Sequence, residues 1–122
     1  MEFKEVSKDF RRTILANSDI LADKKEMSII ILNKGKAIGG CKHDKEENMV
    51  VISGKILYIG DSLEANCEMT SGQSRTIKAH EPHTFVALEE SILMEWGLTA
   101  EEKKNQDKDK LHLQIINKIN EV

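Results

Sequence analysis

The sequence predicts an all-β barrel or sandwich followed by a C-terminal amphipathic helix, and three observations carry that expectation. Short segments rich in β-branched residues recur through the middle of the chain, parted by glycines and polar turns. Proline and low-complexity sequence are scarce, with one proline and seven glycines in 122 residues. From Thr99 onward the pattern changes to a charged stretch and then to apolar residues at helical spacing.

The elements follow in order. Residues 27–32 (MSIIIL) form a short continuous apolar run and suit a buried strand. Residues 36–41 lead into a polar turn. The runs 49–52 (MVVI) and 55–59 (KILYI) flank Ser53-Gly54, which reads as a hairpin turn. Residues 65–70 and 75–79 are further strands. The runs 84–88 (TFVAL) and 92–96 (ILMEW) form another pair, joined by Glu89-Glu90-Ser91. Thr99 is placed to cap a helix, with Glu102 three residues on as its reciprocal partner. Leu111, Ile115, Ile119 and Val122 mark the apolar face of that helix, which the charged NQDKDK stretch breaks in two. It is expected to pack on the outside of the barrel within one subunit, the alternative being that it completes a dimer.

Length and composition bound the rest. A chain of 122 residues suits one domain, here residues 1–122, with the barrel over 27–98 and the helical tail over 99–122. A net charge of −3, with no Lys/Arg stripe, argues against a nucleic-acid surface. The apolar run at 28–32 is too short to span a bilayer. The polar start MEFKEVSKDF is unlike a signal peptide, so a cytoplasmic location is expected. Cys41 and Cys67 are too few for a disulfide framework, and Cys67 reads as a small core residue.

Chemistry concentrates in two stretches. Cys41 and His43, two apart on a strand, point to the same face, and Glu47 opens the return strand after the turn Asp44-Lys45-Glu46. In the second stretch Pro82 fixes the chain ahead of His83, which shares a face with Phe85 and Ala87. His80 occupies a turn and His112 the tail helix, where a solvent-facing and a structural role are expected. Arg75 and Lys78 are candidates to meet an anionic substrate. Tyr58 and Trp96 are the rings a sugar or base would stack on, although aromatics in small barrels belong to the core more often than to a site. No Ser-His-Asp order, phosphate loop or dinucleotide fingerprint is present.

The spacings resemble the two motifs of the cupin superfamily. Gly35, His43, Glu47 and Gly54 fall at the positions of G-x5-H-x-H-x3-E-x6-G, with Cys41 where the first histidine belongs. Gly72 and His83 match G-x5-P-x-G-x2-H-x3-N, while Lys78, His80 and Ala87 stand for its proline, glycine and asparagine. The resemblance covers residues 28–96 and implies a double-stranded jelly-roll barrel. It nominates Cys41, His43, Glu47 and His83 as metal ligands. A thiolate among them would favour Zn or Fe over Mn by ligand softness, and a metal-free pocket is the alternative.

Cupins host many activities, so three classes of function stand open. One is a small metal-dependent enzyme. The second is a sugar-nucleotide or carbohydrate-modifying isomerase or epimerase, suggested by HTFVALEESILMEW. The third is a metal-free ligand-binding module. A small molecule is the expected partner in each, and a homodimer is expected by analogy, with residues 2–15 supplying an N-terminal strand.

Overall fold

A computed structural model describes residues 2–8, 11–17, 25–104 and 106–121. The strands are β1 (Glu2–Lys8), β2 (Arg11–Asn17), β3 (Lys25–Leu32), β4 (Ala37–His43), β5 (Glu47–Ser53) and β6 (Lys55–Ile59). After a 3-10 turn at Leu63–Ala65 come β7 (Cys67–Thr70), β8 (Ser74–Ile77), β9 (His83–Ala87) and β10 (Ser91–Thr99). Helix α1 (Ala100–Lys104), strand β11 (Gln106–Lys108) and helix α2 (Lys110–Asn120) complete the order.

Two antiparallel sheets face each other. One runs β1-β2-β3-β10-β5-β8 and the other β11-β4-β9-β6-β7. The alternation legible in the sequence sets the core: Ile30, Leu32, Met49, Val51 and Leu93 from the first sheet meet Ile38, Ile56, Tyr58, Met69 and Phe85 from the second. All of these are buried, and Tyr58 is wholly so, which makes it a core ring rather than a stacking platform. Trp96 is half-buried on β10.

The barrel strands lie close to where the sequence places them, but the two expected hairpins do not form. β5 and β6 belong to different sheets, as do β9 and β10, so neither Ser53-Gly54 nor Glu89-Glu90-Ser91 closes a hairpin. Each is a corner across which the chain passes to the opposite sheet. Gly54 shows why the corner is tight. Its φ is +91°, and a Cβ there would come 2.5 Å from the Glu90 carbonyl oxygen. The Ser91 hydroxyl fastens the two corners together, accepting from Lys55 N at 3.0 Å. The polar turn Asp44-Lys45-Glu46 is a third crossing, and β5 pairs with β10 and β8 rather than with β4. Residues 2–8 and 11–17 form β1 and β2, which extend the first sheet beyond β3 within the same chain.

The tail also departs from expectation. Thr99 and Glu102 form the reciprocal cap: Glu102 N donates to Thr99 Oγ1 at 3.1 Å, and Thr99 N to Glu102 Oε1 at 3.0 Å. The charged stretch then does not merely interrupt a helix. Its residues 106–108 pair with β4 as an edge strand. Helix α2 packs on the outside of the barrel against β4, but on a different stripe from the one expected. His112 and Ile116 are buried, whereas Leu111 is 64% exposed. Val122 lies outside the described residues. His112 Nδ1 meets Thr84 Oγ1 at 2.7 Å, the structural role expected of it. One turn beyond Ile116, the Asn120 amide donates to Ala37 O at 3.0 Å and accepts from Ala37 N at 2.8 Å.

Asn120 therefore does the work of a missing strand neighbour for a residue with no solvent exposure. Asn120→Ala leaves the buried Ala37 N–H unpaired and is expected to cost about 1–3 kcal/mol in urea unfolding. Asn117→Ala, on the exposed face of the same helix, should stay within about 0.5 kcal/mol of wild type. Equal effects at the two positions would contradict this docking.

Candidate metal centre

The crossing at residues 44–46 makes the site. His43 ends β4 in one sheet and Glu47 begins β5 in the other, so four residues of chain bring them face to face across the barrel. Nε2 of His43 lies 3.8 Å from Oε1 of Glu47. His83 enters from β9, the neighbour of β4, and its ring centroid lies 5.9 Å from that of His43. The three residues are buried, and each offers a ligand atom within 4.8 Å of the other two. A register shift between Gly39 and Cys41 lets β9 come close, since a Cβ on Gly39 would stand 2.6 Å from the His83 carbonyl oxygen.

Two contacts orient His83. Its ring rests on Phe85 at 5.4 Å between centroids, and Nδ1 lies 3.1 Å from the Glu81 carbonyl oxygen. A carbonyl only accepts, so Nδ1 carries the proton and Nε2 keeps its lone pair. His43 is fastened through its backbone, with its carbonyl accepting from His80 N at 2.7 Å. His80 itself is exposed, with φ +64° at the position of the motif glycine.

Three polar atoms in this cluster are buried without a hydrogen-bond partner: Nδ1 of His43 and both carboxylate oxygens of Glu47. Groups of this kind are normally satisfied. Two imidazoles and a carboxylate form a donor set suited to a first-row divalent ion, so the residues fit a metal. Cys41, the fourth residue nominated from the sequence, stands opposite His83 in the ladder but outside the converging group. Its half-buried Sγ lies 3.7 Å from the Gly39 carbonyl oxygen.

Two residues not anticipated from the sequence complete the surroundings. Lys103 of α1 reaches in, with Nζ 3.7 Å from Glu47 Oε2, 3.7 Å from Glu95 Oε2 and 2.9 Å from Ser28 Oγ. Glu95 follows buried Leu93 by two residues on β10, so the strand's alternation already pointed it inward. Nothing in the spacing of α1 announced Lys103. The electrostatics follow from this crowding. Burial, and then the charge of Glu95, push the Glu47 carboxyl up to about 8, with Lys103 pulling the other way. Burial lowers both histidines below their usual value, and for His43 the neighbouring His83 adds to the effect.

Arg75 is spoken for. Its guanidinium lies 4.0 Å over the Tyr58 ring, 3.8 Å from Glu81 and 3.4 Å from Cys67 Sγ, to which it donates. Tyr58 in turn donates to Glu81 at 2.9 Å. Arg75, Lys78 and Glu81 line a cavity of about 380 Å³ to which none of the three converging donors contributes.

No known family model matches the chain, and no curated protein does. Solved structures do. Oxalate decarboxylase from Bacillus subtilis superposes with a TM-score of 0.75 at 11% identity, over 89% of this chain and 30% of that one. Hydroxypropylphosphonic acid epoxidase from S. wedmorenis gives 0.63 at 18% identity, over 80% and 56%. KdgF from Halomonas sp. gives 0.62 at 15% identity, over 79% and 85%. The chain thus spans about a third of the first of these and about half of the second. No described helix is long and apolar enough to cross a membrane. The neighbours are cupin-fold proteins, and this chain has the cupin jelly-roll fold.

The shifted groups act on stability in opposite directions. Glu47 binds its proton more tightly folded than unfolded, so it contributes stability that is lost as pH rises from about 4.5 to about 8. Burial makes the histidines bind a proton less tightly folded than unfolded, so their contribution is lost as pH falls below about 6.5. In chelator, the melting temperature of wild type should decline between pH 6.5 and 8. Glu47→Gln should abolish that decline, and a flat wild-type profile would contradict the burial of this carboxyl.

Proposed function

We propose that the chain is a metal-dependent cupin in which His43, Glu47 and His83 hold one divalent ion beside a pocket for a small polar molecule. The convergence of these three buried donors, with three of their atoms unpartnered, carries the reading. Two imidazoles and one carboxylate are the arrangement used for non-haem Fe(II), and they suit Zn as well. With Cys41 outside the set, the preference for these metals over Mn rests on the imidazoles rather than on a thiolate.

A three-donor set leaves coordination positions open, and an ion bound there supplies Lewis acidity to a carbonyl or similar oxygen. The chain's own residues do the rest. Glu81 holds the proton of His83 at Nδ1, so that Nε2 is presented. Phe85 fixes the ring plane, and the jelly-roll wall keeps bulk water from the donors.

Elemental mass spectrometry on protein purified without an affinity tag tests the reading. Wild type should carry close to one equivalent of Fe or Zn, and His83→Ala should carry less than about a tenth of that. Absence of metal from wild type after reloading, or equal metal in the variant, would overturn it.

A further inference from the structure

We propose that Lys103 is a tethered cation that competes with a divalent metal ion for Glu47 and so sets the metal affinity of the site. The inference rests on the metal reading above and goes beyond it, because it concerns a residue outside the donor set.

The ammonium occupies the acidic half of the cluster. It stands 3.7 Å from a carboxylate oxygen of Glu47 and 3.7 Å from one of Glu95, and both carboxylates are shielded from solvent. Its one short hydrogen bond, 2.9 Å, goes to the hydroxyl of Ser28. Both carboxylates lie just beyond hydrogen-bond distance, so charge rather than directed bonding ties Lys103 to them. An ion taken up by Glu47 puts a second positive charge on the same carboxylate. Two like charges around one oxygen pair, inside a barrel, repel strongly.

The lysine is built to yield. The Thr99–Glu102 cap fixes the start of α1, so the backbone stays in place while a flexible four-carbon stem can swing its charge back to water. Its side chain is 22% exposed, so the route out is already open. Glu95 is the fallback partner at the same distance. Without metal, Lys103 offsets the negative charge carried by the Glu47–Glu95 pair. With metal, it leaves Glu47.

Zinc(II) is the probe, with the full chain stripped of metal and affinities read by competition with a chromophoric chelator at fixed pH and salt. Lys103→Met should bind zinc at least about ten-fold more tightly than wild type, and Lys103→Arg, which keeps the charge, no more tightly. In wild type, zinc should raise the acetylation of Lys103 by an amine-reactive reagent, followed by peptide mass spectrometry. His83→Ala should show no such rise. This second readout needs no Lys103 variant to fold. Unchanged or weaker zinc binding in Lys103→Met, or acetylation indifferent to zinc, would overturn the proposal while leaving the metal site standing. Equal zinc affinity in wild type and His83→Ala would instead remove the metal reading and the proposal with it.

Discussion

Glu47 is held at 1% exposure, and taking a carboxylate that far out of water costs several kcal/mol unless something answers its charge. Each fully buried aliphatic side chain of the core returns about 1.5–3 kcal/mol, so one uncompensated carboxylate cancels the work of two or three of them. The surroundings of Glu47 are the response. The charge of Glu95 helps it keep its proton, the His43 imidazole faces it, and a lysine is drawn in from a separate helix. None of these reaches hydrogen-bonding distance of its oxygens. A divalent ion held there would answer the same charge more completely, with His43 and His83 available beside Glu47 to hold it.

The jelly roll supplies the geometry for this at little cost. Because the chain crosses from sheet to sheet at 44–46, residues four apart in sequence become opposite walls of the barrel. The register shift at Gly39 brings β9 against β4 at the height of His83. On the outer surface, His112 of α2 bonds Thr84, the residue after His83, and Asn120 secures the start of β4. The two strands that present the histidines are thus each pinned from outside by the same helix. The donor side chains sit on a sheet rather than on loops, which favours a fixed arrangement.

Strands and site were legible to different depths. Residues 55–59 read as a strand and form one, because alternation of Ile56 and Tyr58 against half-buried neighbours is a local property. Sheet membership was not legible, because a turn such as Ser53-Gly54 signals reversal without saying which sheet receives the next strand. The helix face was misphased for a related reason: Leu111 and Ile115 are apolar, but docking against β4 is decided by His112, Ile116 and Asn120, two of which end in polar groups bonded to the sheet. Of the residues nominated by motif spacing, His43, Glu47 and His83 converge. The spacing also pointed to Cys41, whose position in the ladder is right but whose thiol turns toward Gly39. Lys103 was out of reach, since its approach depends on the direction in which α1 leaves β10.

Substitution with cobalt(II) tests the central claim most directly, because its visible absorption reports both the number and the kind of donors. The metal-free protein should take up one equivalent and show ligand-field bands without a thiolate-to-metal charge-transfer band. The spectrum should be unchanged in Cys41→Ala and lost in His83→Ala. A charge-transfer band that disappears in Cys41→Ala would place the thiol in the donor set, and no cobalt spectrum at all would mean that His43, Glu47 and His83 do not bind metal.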